Sequence, residues 1–178
     1  NAVARALSNS TDPRVIPVLL AFTERPPLAG IVEALGRHRR VEALPYFIKG
    51  LAEDFVRPAA ERAIRNLRTL TRETLLETAS RRLPPNEREA ASSKRQRRSA
   101  LSLFAELESL EREEWPIVFR LIHDRDPEIS VVACEICLNN MGAPVKVTPI
   151  LRLIDLLPSA DWLLAVKIED CLVKHFEA

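Results

Sequence analysis

The sequence predicts an all-α fold, an α-α superhelix or α-solenoid of about five helix pairs, and three observations support this. Leu, Ala, Arg and Glu dominate the composition and only 4 of the 178 residues are Gly, which favours helix over strand. Apolar residues recur at helical spacing, as Leu164, Ile168 and Cys171 do near the end of the chain. Four apolar runs have similar sequences, with a proline near the start of each, and they indicate a repeated unit.

The four prolines set the length of the repeat. Pro17 and Pro45 are 28 residues apart, Pro116 and Pro149 are 33 apart, and the 71 residues from Pro45 to Pro116 correspond to two units. Intervals of this size, filled by helices, are typical of stacked helix pairs. A proline a turn or so inside a helix bends its axis, so we expect the first helix of each pair to curve around the convex side.

Helix starts are marked by capping residues. Asp12 and Asp126 each precede a proline and offer an N-cap, and we expect Pro158-Ser159 to cap the last helix. Short connections force neighbouring helices to pack antiparallel. Caps and periodicity predict helices at 2–9, 13–24, 27–37, 41–52, 55–69, 71–83, 97–109, 112–124, 127–140, 145–157 and 160–176.

One segment departs from this pattern. The stretch 84–96, PPNEREAASSKRQ, is polar and opens with two prolines, so we expect a loop whose second half could also be helical. It lies within a degenerate repeat at about 70–110. We expect the whole chain, 1–178, to form a single repeat domain.

Composition also indicates where in the cell the protein is located. No apolar run reaches the roughly 18 residues of a membrane span, and the first residues lack the basic-then-apolar pattern of a signal peptide. Three cysteines are an odd, low count that argues against a disulfide framework. We therefore predict a cytoplasmic protein without membrane insertion. Because the chain starts without Met, a fragment or processed product is also expected.

Two segments carry the pattern of a known family. Residues 126–138, DPEISVVACEICL, and 54–67, DFVRPAAERAIRNL, resemble the second helix of HEAT repeats, which are related to armadillo repeats. That helix typically begins with Asp-Pro, an acid and Val-Arg, followed by small and aliphatic residues; Ser130 stands where the arginine is usual. A first-helix proline is a further family feature. The resemblance covers about three quarters of the chain, weakens over 70–110, and implies a HEAT-type solenoid.

We expect a function of binding rather than catalysis, although the motifs bear on the fold more than on the function. We expect a non-catalytic scaffold, adaptor or regulatory module that binds another protein on the surface lined by its second helices, and we expect no cofactor. Self-association is a further possibility. No Gly-rich phosphate loop or nucleophile motif argues for an enzyme. The candidate partner-binding residues are Arg57, Glu61, Arg62, Arg65 and Arg68, with Glu128, Glu135 and Lys167 further along.

Charge supports an alternative, a solenoid that binds nucleic acid through its basic N-terminal half. Residues 1–100 hold 19 Lys and Arg and 11 Asp and Glu, a net charge of +8, whereas 101–178 hold 7 and 14, a net charge of −7. Such a surface can neutralise phosphates. Stacking aromatics are not interleaved with it, since Tyr46 is the sole Tyr and both Trp residues lie in the acidic half. The basic residues include Arg37, Arg39, Arg40, Arg72, Arg81, Arg82, Arg88, Lys94, Arg95, Arg97 and Arg98.

An enzymatic alternative is weaker. HEAT-like DNA glycosylases resemble this chain in fold and basic surface, but their chemistry needs a carboxylate in a cleft lined by Trp and Arg. Trp115 follows Glu113 and Glu114, and Trp162 follows Asp161, yet arginines are sparse around both. A third hypothesis is a regulatory appendage of a larger enzyme or transporter.

A run of acidic residues precedes Trp115. One interpretation is a docking patch for a basic partner or for another copy of the chain. The other is a solvated helix boundary. The run comprises Glu106, Glu108, Glu111, Glu113 and Glu114.

Cysteine spacing offers one metal hypothesis. Cys134 and Cys137 form a C-x-x-C, and Cys171 and His175 are four residues apart on the last predicted helix, so together they spell a possible zinc set. Cys137 and Cys171, however, fall at core positions of the repeat, where a free cysteine acts as a small hydrophobe. We therefore predict no metal site.

Overall fold

The structure is a computed structural model that describes residues 2–10, 12–81, 87–107, 110–140 and 146–176. Throughout these ranges the regular elements are helices, and no strand occurs among them. The prediction of an all-α fold of packed helix pairs is confirmed. Contacts divide the chain into two compact units, residues 1–107 and residues 108–178. The expectation of one domain over 1–178 stays a prediction.

The first unit contains seven α-helices within its described residues, with 3-10 helix at Phe22–Glu24, Val41–Ala43 and Arg68–Thr71. Neighbours in sequence form the pairs α2–α3, α4–α5 and α6–α7, while α3 also contacts α1 and α5. Consecutive second helices are therefore adjacent, as a stacked array requires. The helices are α1 (Ala2–Leu7), α2 (Val15–Ala21), α3 (Ala29–Arg37), α4 (Leu44–Gly50), α5 (Arg57–Leu67), α6 (Arg72–Ala79) and α7 (Ala91–Ala105).

A glycine sets the distance between α3 and α5. A Cβ built on Gly36 would lie 2.6 Å from the Cβ of Ala63 and 2.9 Å from its Cα. Real carbon atoms pack at about 3.5–4.0 Å, so only hydrogen fits at this position. The two second helices thus approach backbone to backbone, with Val32, Leu35 and Ile64 buried around the contact.

The second unit contains four α-helices within its described residues, and α9 holds them together. Helix α9 contacts α8, α10 and α11, and it is apolar on several sides. Ile129, Leu138 and Leu153 are fully buried there. The helices are α8 (Trp115–Leu121), α9 (Pro127–Asn140), α10 (Val147–Leu156) and α11 (Trp162–Phe176).

The repeated prolines initiate helices instead of bending them. Pro45 and Pro116 are the second residues of α4 and α8, and Pro17 and Pro149 are the third residues of α2 and α10. The first four N–H groups of a helix have no partner within the helix, so a proline there removes no hydrogen bond. The expected position a turn inside the helix, and the bend that follows from it, are wrong.

The predicted caps are partly right. Asp126 caps α9, because its Oδ1 accepts backbone N–H groups of the first turn at 3.0 and 3.5 Å. Asp12 instead accepts the N–H two residues later at 2.9 Å, and α2 begins at Val15. The last helix is capped by Asp161, whose Oδ1 accepts an N–H at 2.9 Å. Ser159 belongs to the preceding 3-10 turn, so its predicted role as cap is wrong.

The degenerate repeat at 70–110 contains an ordinary helix pair, α6 and α7. Helix α7 begins at residue 91, six residues before the predicted start at 97, so the second half of 84–96 is helical. Residues 82–86 lie outside the described residues. The N–H of Lys94 donates to the carbonyl of Ala90 at 3.0 Å, which closes the first turn of α7.

Candidate partner-binding surface

Helix α5 carries four of the predicted partner-binding residues, Arg57, Glu61, Arg62 and Arg65, and Arg68 follows directly after its end. Its sequence alternates small or aliphatic residues with charged ones at helical spacing, so one side packs and the other faces solvent. The buried side consists of Ala59, Ala60, Ala63, Ile64 and Leu67. We call Arg57, Glu61, Arg62, Arg65 and Arg68 the α5 charged surface.

Ion pairs join this surface to the neighbouring helices. Arg62 donates from Nη2 to Oε1 of Glu33 on α3 at 3.1 Å. Arg65 forms a bidentate pair with Glu106, just after α7, with Nε to Oε2 at 2.7 Å and Nη2 to Oε1 at 2.8 Å. Glu61 lies 3.8 Å from Arg65 on the same helix. Charges from three helices therefore form one continuous patch.

The bidentate pair keeps both partners ionised. Hydrogen bonding to Glu106 raises the pKa of Arg65, and the same bonds lower the pKa of Glu106. A bidentate guanidinium–carboxylate pair also fixes the orientation of both planar groups. Arg65 is thus held in place on an exposed surface.

The two ends of the α5 charged surface differ from its middle. At the first turn, Arg57 pairs with Asp54 at 3.1 Å, and Asp54 also lies 3.4 Å from Nε of Arg95. Arg68 follows the helix at a φ of 51°, and it forms no ion pair with another described residue. Arg68 is exposed and available to a ligand.

Neither Glu33 nor Glu106 was among the residues predicted to form this surface. Glu33 precedes Arg62 by 29 residues, close to the 28 between Pro17 and Pro45, so equivalent positions of consecutive repeats come together. That spacing could have identified the pair. Glu106 was assigned to the acidic run, yet it binds Arg65.

The remaining predicted residues belong to the second unit. Glu135 of α9 lies 3.8 Å from Nζ of Lys174 on α11, and Lys167 is exposed on α11. Glu128 is half-buried in the first turn of α9.

Several residues of the basic cluster around 84–98 are structural. The side chain of Arg97 is 3% exposed; its Nε donates to the carbonyl of Ala79 at 2.9 Å and its Nη1 to Glu89 at 3.0 Å. Arg95 donates to the carbonyl of Ala52 at 3.2 Å. Arg82 lies outside the described residues. The expectation that this cluster forms a surface able to neutralise phosphates is wrong for Arg97, because its side chain is buried.

Other members of the predicted basic set also have partners. Arg37 donates to Ser8 at 3.2 Å, Arg40 pairs with Glu42 at 2.6 Å, and Arg72 lies over the ring of Phe104 at 5.3 Å.

The three cysteines are buried free thiols. Burial raises the pKa of Cys134 and of Cys137 to about 12, and that of Cys171 to about 11. A metal ligand must be the thiolate, which these environments disfavour. Within the described part of the chain, no group of three or more His, Cys, Asp or Glu side chains could hold a metal ion. Burial lowers the pKa of His175.

Carboxylates near the tryptophans and in the acidic run form local contacts with the backbone. Trp162 is 77% exposed at the start of α11, and the carboxylate next to it, Asp161, caps the helix. Glu114 accepts the backbone N–H of Glu111 at 2.8 Å. Glu108 lies outside the described residues.

Comparison with known proteins gives one match. Residues 1–25, which contain α1 and α2, match the family model described as PBS lyase HEAT-like repeat. No curated protein matches, and no solved structure matches. Across the described ranges, none of the helices combines the length and hydropathy needed to cross a membrane.

HEAT-like repeats generally mediate protein–protein interaction and are typically not catalytic. The matched segment lies apart from 54–67 and 126–138, on which the sequence resemblance rests. The helix pairs of both units agree with it. Residues 1–25 are therefore similar to a HEAT-like repeat, and the all-α fold of packed helix pairs is consistent with that similarity.

Proposed function

We propose that this protein is a non-catalytic interaction module whose α5 charged surface binds a partner protein. The observation that carries the proposal is the patch of charges on α3, α5 and the end of α7, connected through Arg62–Glu33 and Arg65–Glu106. Exposed ion pairs contribute little to stability, so a row of them across three helices is not needed for folding. It offers oriented arginines that can exchange an internal carboxylate for one on a partner.

The proposed ligand is a protein surface that presents carboxylates. Arg68, which forms no ion pair with a described residue, supplies a second cation beside the paired Arg65, so the surface attracts anions and discriminates their geometry. A cytoplasmic scaffold or adaptor is the role we propose for such a module.

The test is affinity capture with mass spectrometry, using the intact chain and the variant Arg62→Glu/Arg65→Glu/Arg68→Glu. Proteins bound by the wild type should be lost from this variant. The matched control is Arg14→Glu/Arg25→Glu/Lys49→Glu, which changes the net charge equally at exposed positions outside the surface. Partners retained by the first variant, or lost equally from both, would refute the α5 site.

Nucleic-acid binding is the competing outcome of the same experiment. A shift assay at low salt with DNA and RNA should show no complex, because the segment 57–68 holds no aromatic side chain that could stack on a base. A complex that weakens steeply with salt, and that the triple α5 variant abolishes, would replace the proposal.

A further inference from the structure

Two arginines adopt a backbone conformation that favours glycine, at matching places in consecutive repeats. Arg39 lies two residues beyond the end of α3 with a φ of 50°, and Arg68 lies directly after α5 with a φ of 51°. Within the described ranges they are the only non-glycine residues at positive φ. They are 29 residues apart, the same separation as Glu33 and Arg62. Stability alone favours glycine at both places, and backbone strain of this kind concentrates at functional sites.

The packing of α3 against α5 places the two arginines side by side. Nη2 of Arg62 lies 3.1 Å from Oε1 of Glu33, and further along both helices Nδ2 of Asn66 lies 3.5 Å from the carbonyl oxygen of Gly36. The two helices therefore run parallel, with their C-terminal ends next to each other. The axes of packed helices are about 8–10 Å apart, so long side chains at these two ends can bind one ligand together.

The described part of the chain gives neither arginine side chain a partner. An arginine near the C-terminus of a helix commonly donates to the last carbonyl groups or pairs with a carboxylate. The guanidinium groups of Arg39 and Arg68 do neither with any described residue, and both residues are exposed. Helix capping therefore does not account for these two side chains, and both cations are available to a ligand.

The acidic residues around the two arginines leave them with their charge. Glu42 pairs with Arg40 at 2.6 Å, and both carboxylate oxygens of Glu106 accept hydrogen bonds from Arg65. Glu73, in the first turn of α6, forms no ion pair with either arginine.

Further cations lie beside the pair. Arg37 donates to Ser8 at 3.2 Å, and Arg72 lies over the ring of Phe104 at 5.3 Å. Neither of these partners is a carboxylate, so these contacts leave the positive charge in place. The C-terminal ends of α3 and α5 therefore attract anions.

An exposed aliphatic side chain follows each of the two arginines by two residues. Val41 is 41% exposed and Leu70 is 65% exposed, and they too are 29 residues apart. Each repeat thus presents a cation and an apolar group in the same order. A polypeptide can cover aliphatic side chains, whereas single-stranded nucleic acid is bound mainly by stacking on aromatic ones. The pattern therefore favours a protein ligand.

We infer that Arg39 and Arg68 together bind an extended segment of a partner protein that carries two carboxylates at alternate positions. The inference rests on the proposed function, in which the partner presents carboxylates. Alternate side chains of an extended segment lie on one face, about 6–7 Å apart, and flexible arginine side chains span the difference from the helix spacing. The segment crosses the C-terminal ends of α3 and α5, where its aliphatic atoms cover Val41 and Leu70.

The test measures the binding of labelled peptides to the intact chain by fluorescence anisotropy. The probe is a peptide of about ten residues with Glu-Val-Glu at its centre, so that both carboxylates share a face when it is extended. One matched peptide has Gln-Val-Gln, and another separates the two glutamates by two residues, which places them on opposite faces. We expect saturable binding of the Glu-Val-Glu peptide, and binding of both matched peptides weaker by about tenfold or more. Salt at about 0.5 M should weaken the Glu-Val-Glu complex.

Glycine substitutions separate binding from folding. Arg39→Gly/Arg68→Gly should weaken binding by about tenfold or more while the melting temperature rises, because glycine suits both backbone conformations. Arg39→Lys/Arg68→Lys keeps the charge and should retain part of the binding. The matched control is Arg25→Gln/Lys49→Gln, which removes the same charge at exposed positions elsewhere in the first unit and should leave binding unchanged.

Three results would overturn the inference. One is equal binding of the Glu-Val-Glu and Gln-Val-Gln peptides, or no binding of either. Another is binding that survives Arg39→Gly/Arg68→Gly, or that the control variant weakens as much. The third is a single-stranded oligonucleotide that displaces the Glu-Val-Glu peptide at a lower concentration than unlabelled peptide does, which would make nucleic acid the occupant.

This inference and the proposed function can fail separately. If the Glu-Val-Glu peptide does not bind, but captured proteins still depend on Arg62 and Arg65, only the inference fails. If the peptide binds through Arg39 and Arg68, but the triple α5 variant still captures every protein that the wild type does, only the proposed function fails.

Discussion

Gly36 offers the sharpest test of the packing, because the methyl group added by Gly36→Ala should push α3 and α5 apart. The added Cβ of Gly36→Ala would lie 2.6 Å from the Cβ of Ala63 and 2.9 Å from its Cα. Relief requires the helices to part by about 1 Å, since carbon atoms pack at about 3.5–4.0 Å. Neither atom belongs to a flexible side-chain end, so rotation cannot relieve the clash.

The magnitude follows from two opposing effects. Overpacking a core costs about 1–3 kcal/mol, and a rigid backbone places this site at the upper end. Replacing Gly by Ala inside a helix stabilises the helix by about 1 kcal/mol, because Ala has the higher helix propensity. We therefore expect the free energy of unfolding to fall by about 2 kcal/mol, although the change favours an isolated helix.

The assay is urea unfolding followed by circular dichroism, with amide hydrogen exchange in α3 and α5, because the two units need not unfold together. Gly50→Ala is the matched control: its Cβ would meet the Cβ of Ala60 at 3.1 Å and Cγ1 of Val56 at 3.2 Å, so a small adjustment suffices. Adding Ala63→Gly to Gly36→Ala should restore part of the loss, a coupling of about 1 kcal/mol or more. A Gly36→Ala chain as stable as wild type, or an absence of coupling, would show that the helices do not approach this closely.

Three further predictions concern buried and strained groups. Arg97→Met should lower the free energy of unfolding by about 3 kcal/mol or more, because it leaves the buried Glu89 carboxylate without a cation. Urea unfolding should show most of this stability restored in Arg97→Met/Glu89→Leu. Arg39→Gly should raise the melting temperature, with a gain of roughly 0.5–1 kcal/mol, because Arg39 has a φ of 50°; Arg39→Val should lower it. The raised pKa of Cys134, about 12 against an ordinary 9.0, keeps its proton on the folded chain, so stability is complete below pH 9 and falls as pH rises toward 12. Urea unfolding between pH 8 and 10.5 should show a shallower decline for Cys134→Ala, and an equal slope would contradict the burial of the thiol.

The fold class was readable from the sequence because its determinants are local. Helical periodicity, the capping carboxylate of Asp126 and the proline spacing all act within one or two turns or recur at one repeat length. Glu33 and Arg62 are 29 residues apart, close to the 28-residue proline interval, and residues about one repeat apart come together in adjacent second helices. Burial of Cys137 also followed from its position in the repeat.

Tertiary structure alone decided which charges are structural and which are available. Arg97 and Arg68 look alike in the sequence, yet Arg97 is buried against Glu89 and the carbonyl of Ala79, whereas Arg68 is exposed. Glu106 reaches Arg65 across 41 residues, a separation that no local pattern encodes. The sequence determined the helices and their order, because those depend on short-range spacing; pairing and exposure depend on long-range contacts that exist only once the helices pack.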